Sequence, residues 1–239
     1  TTITNGDLTK NLTYDITVGT GATFTATPTP SDYSNTAAAA RTLTMDVKGA
    51  GKAVLTPTLD WGDQTTYKDT ITIDGSTNTG GITGDFSGWS NDNATYINFT
   101  GGTAADTVEV KAGDADKDYT IDGGAGTDIL QVDVALTADA ANLFYTDTLT
   151  GTNLPSISNM EVNKLIFSGA DGARTVTTTS ATLDTLCLAG DIGAQVLTLD
   201  AIKSGQTVKI TADTEEASSA IALTVKDATA SAPASSLTV

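Results

Sequence analysis

Short runs with alternating apolar residues recur along the C-terminal part of the chain. "DTLCLAG", "QVLTLDA", "TVKITAD" and "ALTVKDA" follow one another at intervals of about 11 to 15 residues. Apolar side chains take every second position, as in Leu186 and Leu188 or Val208 and Ile210. A period of two predicts half-buried β-strands. Strands of this kind would suit either the coils of a solenoid or a sandwich.

A second pattern, with a longer period, occupies the middle of the chain. "GGITGD" (80–85), "GGTAAD" (101–106) and "GGAGTD" (123–128) each begin with two glycines and end in Asp, and a strand-like run follows each. The segments between them, "SNDNATYINFTGG" and "AGDADKDYTIDGG", also correspond to each other. One period is therefore turn, strand, turn, strand. Repeats of about 20 residues with this order are typical of a β-solenoid, in which each coil stacks on the previous one.

The chain as a whole is acidic, and its acid is mostly aspartate. It has 29 Asp plus Glu against 12 Lys plus Arg, and only 4 of the acids are Glu. Asp favours turns and oxygen-ligand metal sites, and Thr, about a fifth of the chain, favours strands. The formal charge of −17 argues against nucleic acid and anionic membranes as partners. The absence of histidine removes Ser-His triads and most zinc sites. No apolar run approaches the roughly 18 residues of a membrane span.

Stacked coils would place the repeated aspartates in a row. Asp85, Asp106 and Asp128 are expected on one side of the solenoid, about 5 Å apart from coil to coil. Carboxylates at that spacing repel each other, and the neighbouring glycines let carbonyl oxygens turn inward. Carboxylates and carbonyls from successive turns would form an oxygen cage suited to Ca²⁺ rather than to Mg²⁺, which prefers a tight octahedron.

The same residues carry a family resemblance. "GGAGTDILQ" matches the calcium-binding nonapeptide G-G-x-G-x-D-x-U-x of RTX-type proteins, and "GGTAADTVE" matches it with Ala104 at the third glycine. "GGITGDFSG" departs further from the motif. The resemblance implies that Asp side chains and loop carbonyls bind Ca²⁺ between turns. The implied ligands in this chain are Asp106 and Asp128, with carbonyls from Gly101, Thr103, Gly123 and Ala125.

An acidic run precedes the third glycine pair. "DADKD" contains Asp114, Asp116 and Asp118 at the spacing of the first three EF-hand ligands, although the later positions of that loop do not match. Two alternatives stay open: a second Ca²⁺ at the opposite edge of the coil, or a solvated acidic turn. Asp122, directly before Gly123, completes the set of candidate ligands.

These observations predict an all-β chain built as a parallel β-solenoid, of β-roll or β-helix type, with calcium-binding turns. Residues 1–75 would be an N-terminal β segment, either a small separate unit or the first coils. Residues 76–134 would form the RTX-like coils, and residues 135–239 would continue the solenoid.

A further segment indicates the functional class. "GTNLPSISNMEVNKLIFSG" (151–169) resembles the connector and strand found in bacterial S-layer proteins and large surface adhesins. This implies a non-enzymatic structural component at the extracellular face of a bacterial cell. It would fold and assemble with calcium, associate with its own copies and contact cell-surface glycan.

Two other functions are alternatives to the structural one. A parallel β-helix carbohydrate-active enzyme would use clustered carboxylates, but Arg41 and Arg174 are the only arginines and neither lies near the Asp cluster in sequence. A Thr-rich module that binds glycan or ice would need T-x-T repeats in register on one flat face. The sequence shows no such period.

Overall fold

The structure is a computed structural model, and every element it describes is a β-strand. It describes residues 2–5, 11–30, 42–57, 69–87, 95–111, 118–135, 156–168, 174–177, 184–190, 196–202, 206–212 and 222–227. The strands in chain order are β1 (Thr2–Asn5), β2 (Leu12–Val18), β3 (Thr23–Pro30), β4 (Thr42–Gly49), β5 (Lys52–Leu55), β6 (Asp69–Asp74), β7 (Ile82–Asp85), β8 (Thr95–Thr100), β9 (Thr107–Lys111), β10 (Asp118–Asp122), β11 (Ile129–Ala135), β12 (Ser156–Ser158), β13 (Val162–Ser168), β14 (Arg174–Thr177), β15 (Thr185–Gly190), β16 (Val196–Ile202), β17 (Thr207–Ala212) and β18 (Ala222–Asp227). In the part of the chain described here, no helix is long and apolar enough to cross a membrane.

The chain divides into two compact units. The first consists of Thr1–Val110, Asp114–Ile129 and Thr152–Met160, and the second of Lys111–Gly113, Leu130–Gly151 and Glu161–Val239.

In the first unit the strands alternate between two parallel sheets. The odd-numbered strands follow the order β1-β3-β5-β7-β9, and the even-numbered strands follow β12-β10-β8-β6-β4-β2. Sheet neighbours are thus two strands apart in sequence, so each coil of chain passes from one sheet to the other and back. The prediction of an all-β, parallel, solenoid-like arrangement is confirmed. Strands β2, β4 and β6, from residues 1–75, lie in the same sheet as β8 and β10.

The second unit follows the same alternation. Its odd-numbered strands have the order β11-β13-β15-β17, and its even-numbered strands have the order β14-β16-β18. The pairs β13–β15, β15–β17, β14–β16 and β16–β18 are all parallel. Sandwiches of the immunoglobulin type use antiparallel sheets, so the parallel pairing favours solenoid coils in this region.

The core of the first unit consists of apolar columns that run from coil to coil. In β4, Leu43, Met45 and Val47 are buried, while the intervening Thr and Asp side chains are half-buried on the outer face. Parallel pairing repeats this choice on β6, β8 and β10. Two columns of buried residues result: Leu43, Ile71, Ile97 and Tyr119, and Met45, Ile73, Phe99 and Ile121.

Candidate metal centre at the glycine-rich turns

The turns that join even-numbered to odd-numbered strands stack on one another in the first unit. Residues 75–81 join β6 to β7, residues 101–106 join β8 to β9, and residues 123–128 lead from β10 into β11. The first glycine of each turn donates its N–H to a carbonyl of the next coil. The pairs are Gly75 to Thr100, Gly101 to Asp122 and Gly123 to Ser158, at 2.7, 2.8 and 3.1 Å.

Asp85 does not belong to this row of turns. Thr83 pairs with Thr107 in the β7–β9 register, so Asp85 lies opposite Glu109 at the far end of its strand. There its Oδ1 accepts hydrogen bonds from the Ser87 N–H at 3.0 Å and the Ser87 Oγ–H at 2.6 Å. The prediction that Asp85 stacks on Asp106 and Asp128 is therefore wrong.

The reason is a difference in turn length. Gly75 to Ile82 spans eight residues, whereas the matching stretch from Gly101 to Asp106 spans six. The pair Gly80-Gly81 falls in the extra length and is out of register with the later glycine pairs. Strand pairing sets which residues of successive coils lie together, and the spacing of glycine pairs does not.

In the longer turn, a buried asparagine that the sequence argument missed takes the central polar position. Asn78 is fully buried. Its Oδ1 accepts the N–H groups of Gly80 at 2.9 Å and Gly81 at 2.8 Å, and its Nδ2 donates to the Gly51 carbonyl at 3.2 Å. The Asn in "GSTNTGG" gave no signal, because Asn is common in exposed turns.

Asp106, the last residue of the next turn, is also fully buried. Its Oδ1 accepts the Ile82 N–H of the preceding coil at 2.5 Å, and its Oδ2 accepts the Gly102 N–H of its own turn at 2.7 Å. Burial raises the pKa of this carboxyl group, and the two backbone hydrogen bonds, from Gly102 and Ile82, only partly oppose that shift.

Asp128 repeats one of these two hydrogen bonds one coil further on, whereas the Gly124 N–H donates to Asp122 instead. Asp128 is fully buried, and its Oδ1 accepts the Asp106 N–H at 2.7 Å. The backbone resumes ordinary pairing directly afterwards, with the Ile129 N–H donating to the Asp106 carbonyl at 2.9 Å. Each aspartate thus accepts the backbone N–H at the equivalent position of the coil before it.

Glycine is needed where the coils meet. A Cβ at Gly101 would collide with the Gly123 carbonyl oxygen and with Asp106 Oδ2. A Cβ at Gly123 would collide with the Asn159 carbonyl oxygen and approach Asp128 Oδ2. A carbonyl oxygen of one coil and a carboxylate oxygen of the coil before it therefore lie against the same glycine Cα. These are donors of the type that Ca²⁺ prefers.

The other predicted acidic ligands have different surroundings. Asp122 is half-buried, and its Oδ1 accepts the Gly124 N–H at 3.1 Å and the Asn159 Nδ2–H at 2.7 Å. Asp118 is the first residue of β10, and only its backbone is described. Two of the predicted ligands lie outside the described residues: Asp114 and Asp116.

Two of the predicted carbonyl ligands belong to exposed residues. Thr103 and Ala125 lie on the outside of their turns. The Thr103 N–H donates to the Asn78 carbonyl at 3.1 Å, and the Ala125 N–H donates to the Gly102 carbonyl at 2.9 Å. These two residues hold the turns together through their N–H groups.

In the described turns, the buried carboxylates that could face a calcium ion are those of Asp106 and Asp128. Ca²⁺ takes six to eight oxygen ligands and usually several carboxylates. Among the described residues, no three acidic or thiol side chains gather where they could hold a metal. Both oxygens of Asp106 already accept buried N–H groups. The segment "DADKD" is largely outside the described residues, so the prediction of calcium there stays a prediction.

The outer face of the even-numbered sheet carries a second candidate site. A column of small polar side chains runs across it in register, and Thr44 and Thr72 in this column are half-buried. Its members are Thr13, Thr44, Thr72, Asn98, Thr120 and Ser156. A neighbouring column contains Thr42, Thr70, Tyr96 and Asp118. Strands β4 and β6 thus present T-x-T in register, which the sequence argument did not detect because the coils differ in length.

A row of carboxylates borders this polar face. Asp15, Asp46 and Asp74 are consecutive in the register of β2, β4 and β6. The Lys48 Nζ lies 3.2 Å from Asp15 Oδ1 and 2.5 Å from Asp46 Oδ2. Hydrogen bonds to Asp46 and Asp15 raise the pKa of Lys48. Asp74 accepts the Ser76 N–H at 3.1 Å, so it also terminates its strand.

Comparison with known proteins adds no family to this description. A scan of protein-family models, a search of curated proteins and a search of solved structures each found no match to this chain.

Proposed function

We propose that this chain is a structural segment of an exported bacterial surface-layer or adhesin-like protein. The observation that carries the proposal is the unbroken coil-on-coil pairing of the first unit. Its even-numbered strands, from β2 to β12, pair in parallel, and those from β4 to β10 bury continuous apolar columns. A surface built from repeated coils suits a protein whose task is mechanical and protective.

The charge of the chain supports the same proposal. A net charge of −17 keeps separate chains soluble and apart at low salt. Assembly into an array would then depend on screening of that repulsion, which extends over about 10 Å at 0.1 M salt. The proposed partners are further copies of the chain and cell-surface glycan.

Self-association is the property to test. We would follow the purified chain by sedimentation velocity and negative-stain electron microscopy over rising protein and salt concentrations, with limited proteolysis in parallel. The expected result is regular assemblies that grow with ionic strength and resist protease. A chain that stays monomeric at every salt concentration and is digested quickly would contradict the structural role.

A second candidate function rests on the polar column of the even-numbered sheet. In-register T-x-T on β4 and β6 is the feature that a flat glycan- or ice-binding face requires. Tyr96 and Asn98 of β8 interrupt the threonines. An interrupted array matches a crystal lattice poorly, whereas an aromatic ring beside amide and hydroxyl groups suits a sugar. We therefore favour a neutral glycan over ice as the ligand of this face.

This candidate is tested by placing a lysine on each sheet. Thr72→Lys alters the proposed face, and Thr107→Lys is the matched control on a half-buried outer position of the odd-numbered sheet. Binding to insoluble neutral polysaccharides such as cellulose and chitin would be measured by co-sedimentation. Loss of binding in the first variant alone supports the site. Equal binding by both variants excludes it.

A further inference from the structure

We propose that the side chains of Asn78, Asp106 and Asp128 act as polar staples, which join successive coils by direct hydrogen bonds to backbone groups without a metal ion. This inference does not depend on the proposed surface role. A failure of either one leaves the other standing.

The backbone N–H groups at the ends of these turns need acceptors. Where the chain enters β7 and β9, the N–H groups of Ile82 and Asp106 face side-chain carboxylates of the following coil. Buried N–H groups in folded proteins nearly always find an acceptor, because leaving one unpaired is costly. The two carboxylates therefore supply acceptors at the point where the ordinary strand ladder begins.

The charge of the carboxylate affects the strength of these hydrogen bonds. A hydrogen bond to an ionised carboxylate is roughly twice as strong as a neutral one. The N–H groups of Ile82 and Gly102 direct their positive ends at the two oxygens of Asp106. These N–H groups already offset part of the negative charge that a cation would otherwise neutralise.

In the neighbouring turn, the neutral amide of Asn78 makes hydrogen bonds of the same kind to the backbone. The Asn78 Oδ1 accepts two N–H groups of its own turn, and its Nδ2 donates to Gly51 of the preceding coil. An amide carries no charge to attract Ca²⁺, yet it is as deeply buried as the two aspartates. The shared property of the three side chains is therefore hydrogen bonding to the backbone.

The test combines a variant with removal of metal. Thermal unfolding of the wild type and of Asp106→Ala would be measured with Ca²⁺ and with EDTA. Asp85→Ala is the matched control, because Asp85 lies on the adjacent strand but bonds only to Ser87 in the described contacts. We expect Asp106→Ala to lower the midpoint by about 5 °C or more in both solutions, and the control to lower it by much less.

The possible outcomes distinguish a side chain that hydrogen-bonds directly to the next coil from one that binds a metal ion. Equal midpoints of the wild type with and without EDTA support the staple, and so does an equal EDTA effect on wild type and variant, since the metal then binds elsewhere. An EDTA effect that is present in the wild type and absent in Asp106→Ala overturns the proposal. An unchanged midpoint of the variant overturns it as well.

A second measurement covers the case in which the variant does not fold. Amide hydrogen exchange of the wild type would be followed at Ile82 and Asp106 with EDTA present. Direct staples predict that both amides stay protected to the same extent as in Ca²⁺. Loss of protection at these two amides on metal removal would contradict the staple.

Discussion

The turn from Gly75 to Gly81 and the turn from Gly101 to Asp106 lie on consecutive coils, yet one buries an amide and the other a carboxylate. In the longer turn, Asn78 accepts two N–H groups from its own turn and donates to the coil before it. In the shorter turn, Asp106 accepts one N–H from its own turn and one from the coil before it.

The difference shows which property each turn needs. Asn78 faces a carbonyl of the preceding coil and must donate, whereas Asp106 faces an N–H and must accept. Whether the neighbouring backbone group is a carbonyl or an N–H thus decides whether an amide or a carboxylate suits the position. The carboxylate makes stronger hydrogen bonds, but its burial raises its pKa, so the charged form carries a desolvation cost that the amide avoids.

The largest loss of stability should come from adding a methyl group where these two turns are in close contact. A Cβ at Gly102 would collide with the Asn78 carbonyl oxygen and lie 3.0 Å from that of Gly75. Because both obstacles are backbone atoms, Gly102→Ala should lower the free energy of unfolding by on the order of 3 kcal/mol or more. Gly19→Ala is the control, since nothing lies within 4 Å of the added methyl. Urea unfolding would measure both, and similar values would refute the contact.

A reciprocal exchange of the two side chains should have unequal effects. Asn78→Asp places a buried carboxylate against the Gly51 carbonyl and should cost about 3 kcal/mol. Asp106→Asn keeps one acceptor and turns an NH₂ towards a backbone N–H, which should cost about 1–2 kcal/mol. Denaturant titration of both variants decides the order. The comparison fails if Asp106→Asn is the more damaging exchange.

The pH dependence of the two turns should also differ. The folded state raises the pKa of Asp106 above its ordinary value of 3.8, so it favours the protonated acid. The contribution of this group is complete below pH 3.8 and is lost as the pH rises through the folded-state pKa. The stability advantage of the wild type over Asp106→Asn should therefore shrink from pH 3 to pH 7. Its advantage over Gly49→Ala, whose added methyl would meet the Val18 backbone and which removes no titrating group, should stay level. A gap to Asp106→Asn that widens with pH would contradict the assignment.

The smallest effect on stability should come from the outer face of the even-numbered sheet. Lys48 bridges Asp15 and Asp46 on the solvent-facing side of the sheet. Exposed ion pairs contribute little and are screened by salt. Lys48→Met should change the urea midpoint only slightly at low salt and not measurably at 0.5 M salt. A clear loss of stability at high salt would show that the outer face matters as much as the turns.

Much of the fold could be predicted from the sequence. The alternation of apolar and polar residues in segments such as "TVKITAD" predicted strands, and the repeated order of turn and strand predicted parallel coils. Asp106 and Asp128 were also recognised as special, because Asp after a glycine-rich turn recurs with a period of 22 residues. Asp85 was misplaced because two extra residues in the preceding turn shift the register, which becomes visible only once the strands are paired.

The sequence by itself determined the local features of the structure. These are which segments form strands, which side of each strand is apolar, and where glycine permits close approach. These follow from residues near one another in the chain. Only the tertiary structure decided which coil each polar side chain bonds to, because that depends on register between residues more than 20 positions apart. The N–H that Asp106 accepts belongs to Ile82, and the carbonyl that Asn78 contacts belongs to Gly51. For this physical reason, the same aspartates predict a metal cage when considered alone and form backbone staples once the coils are stacked.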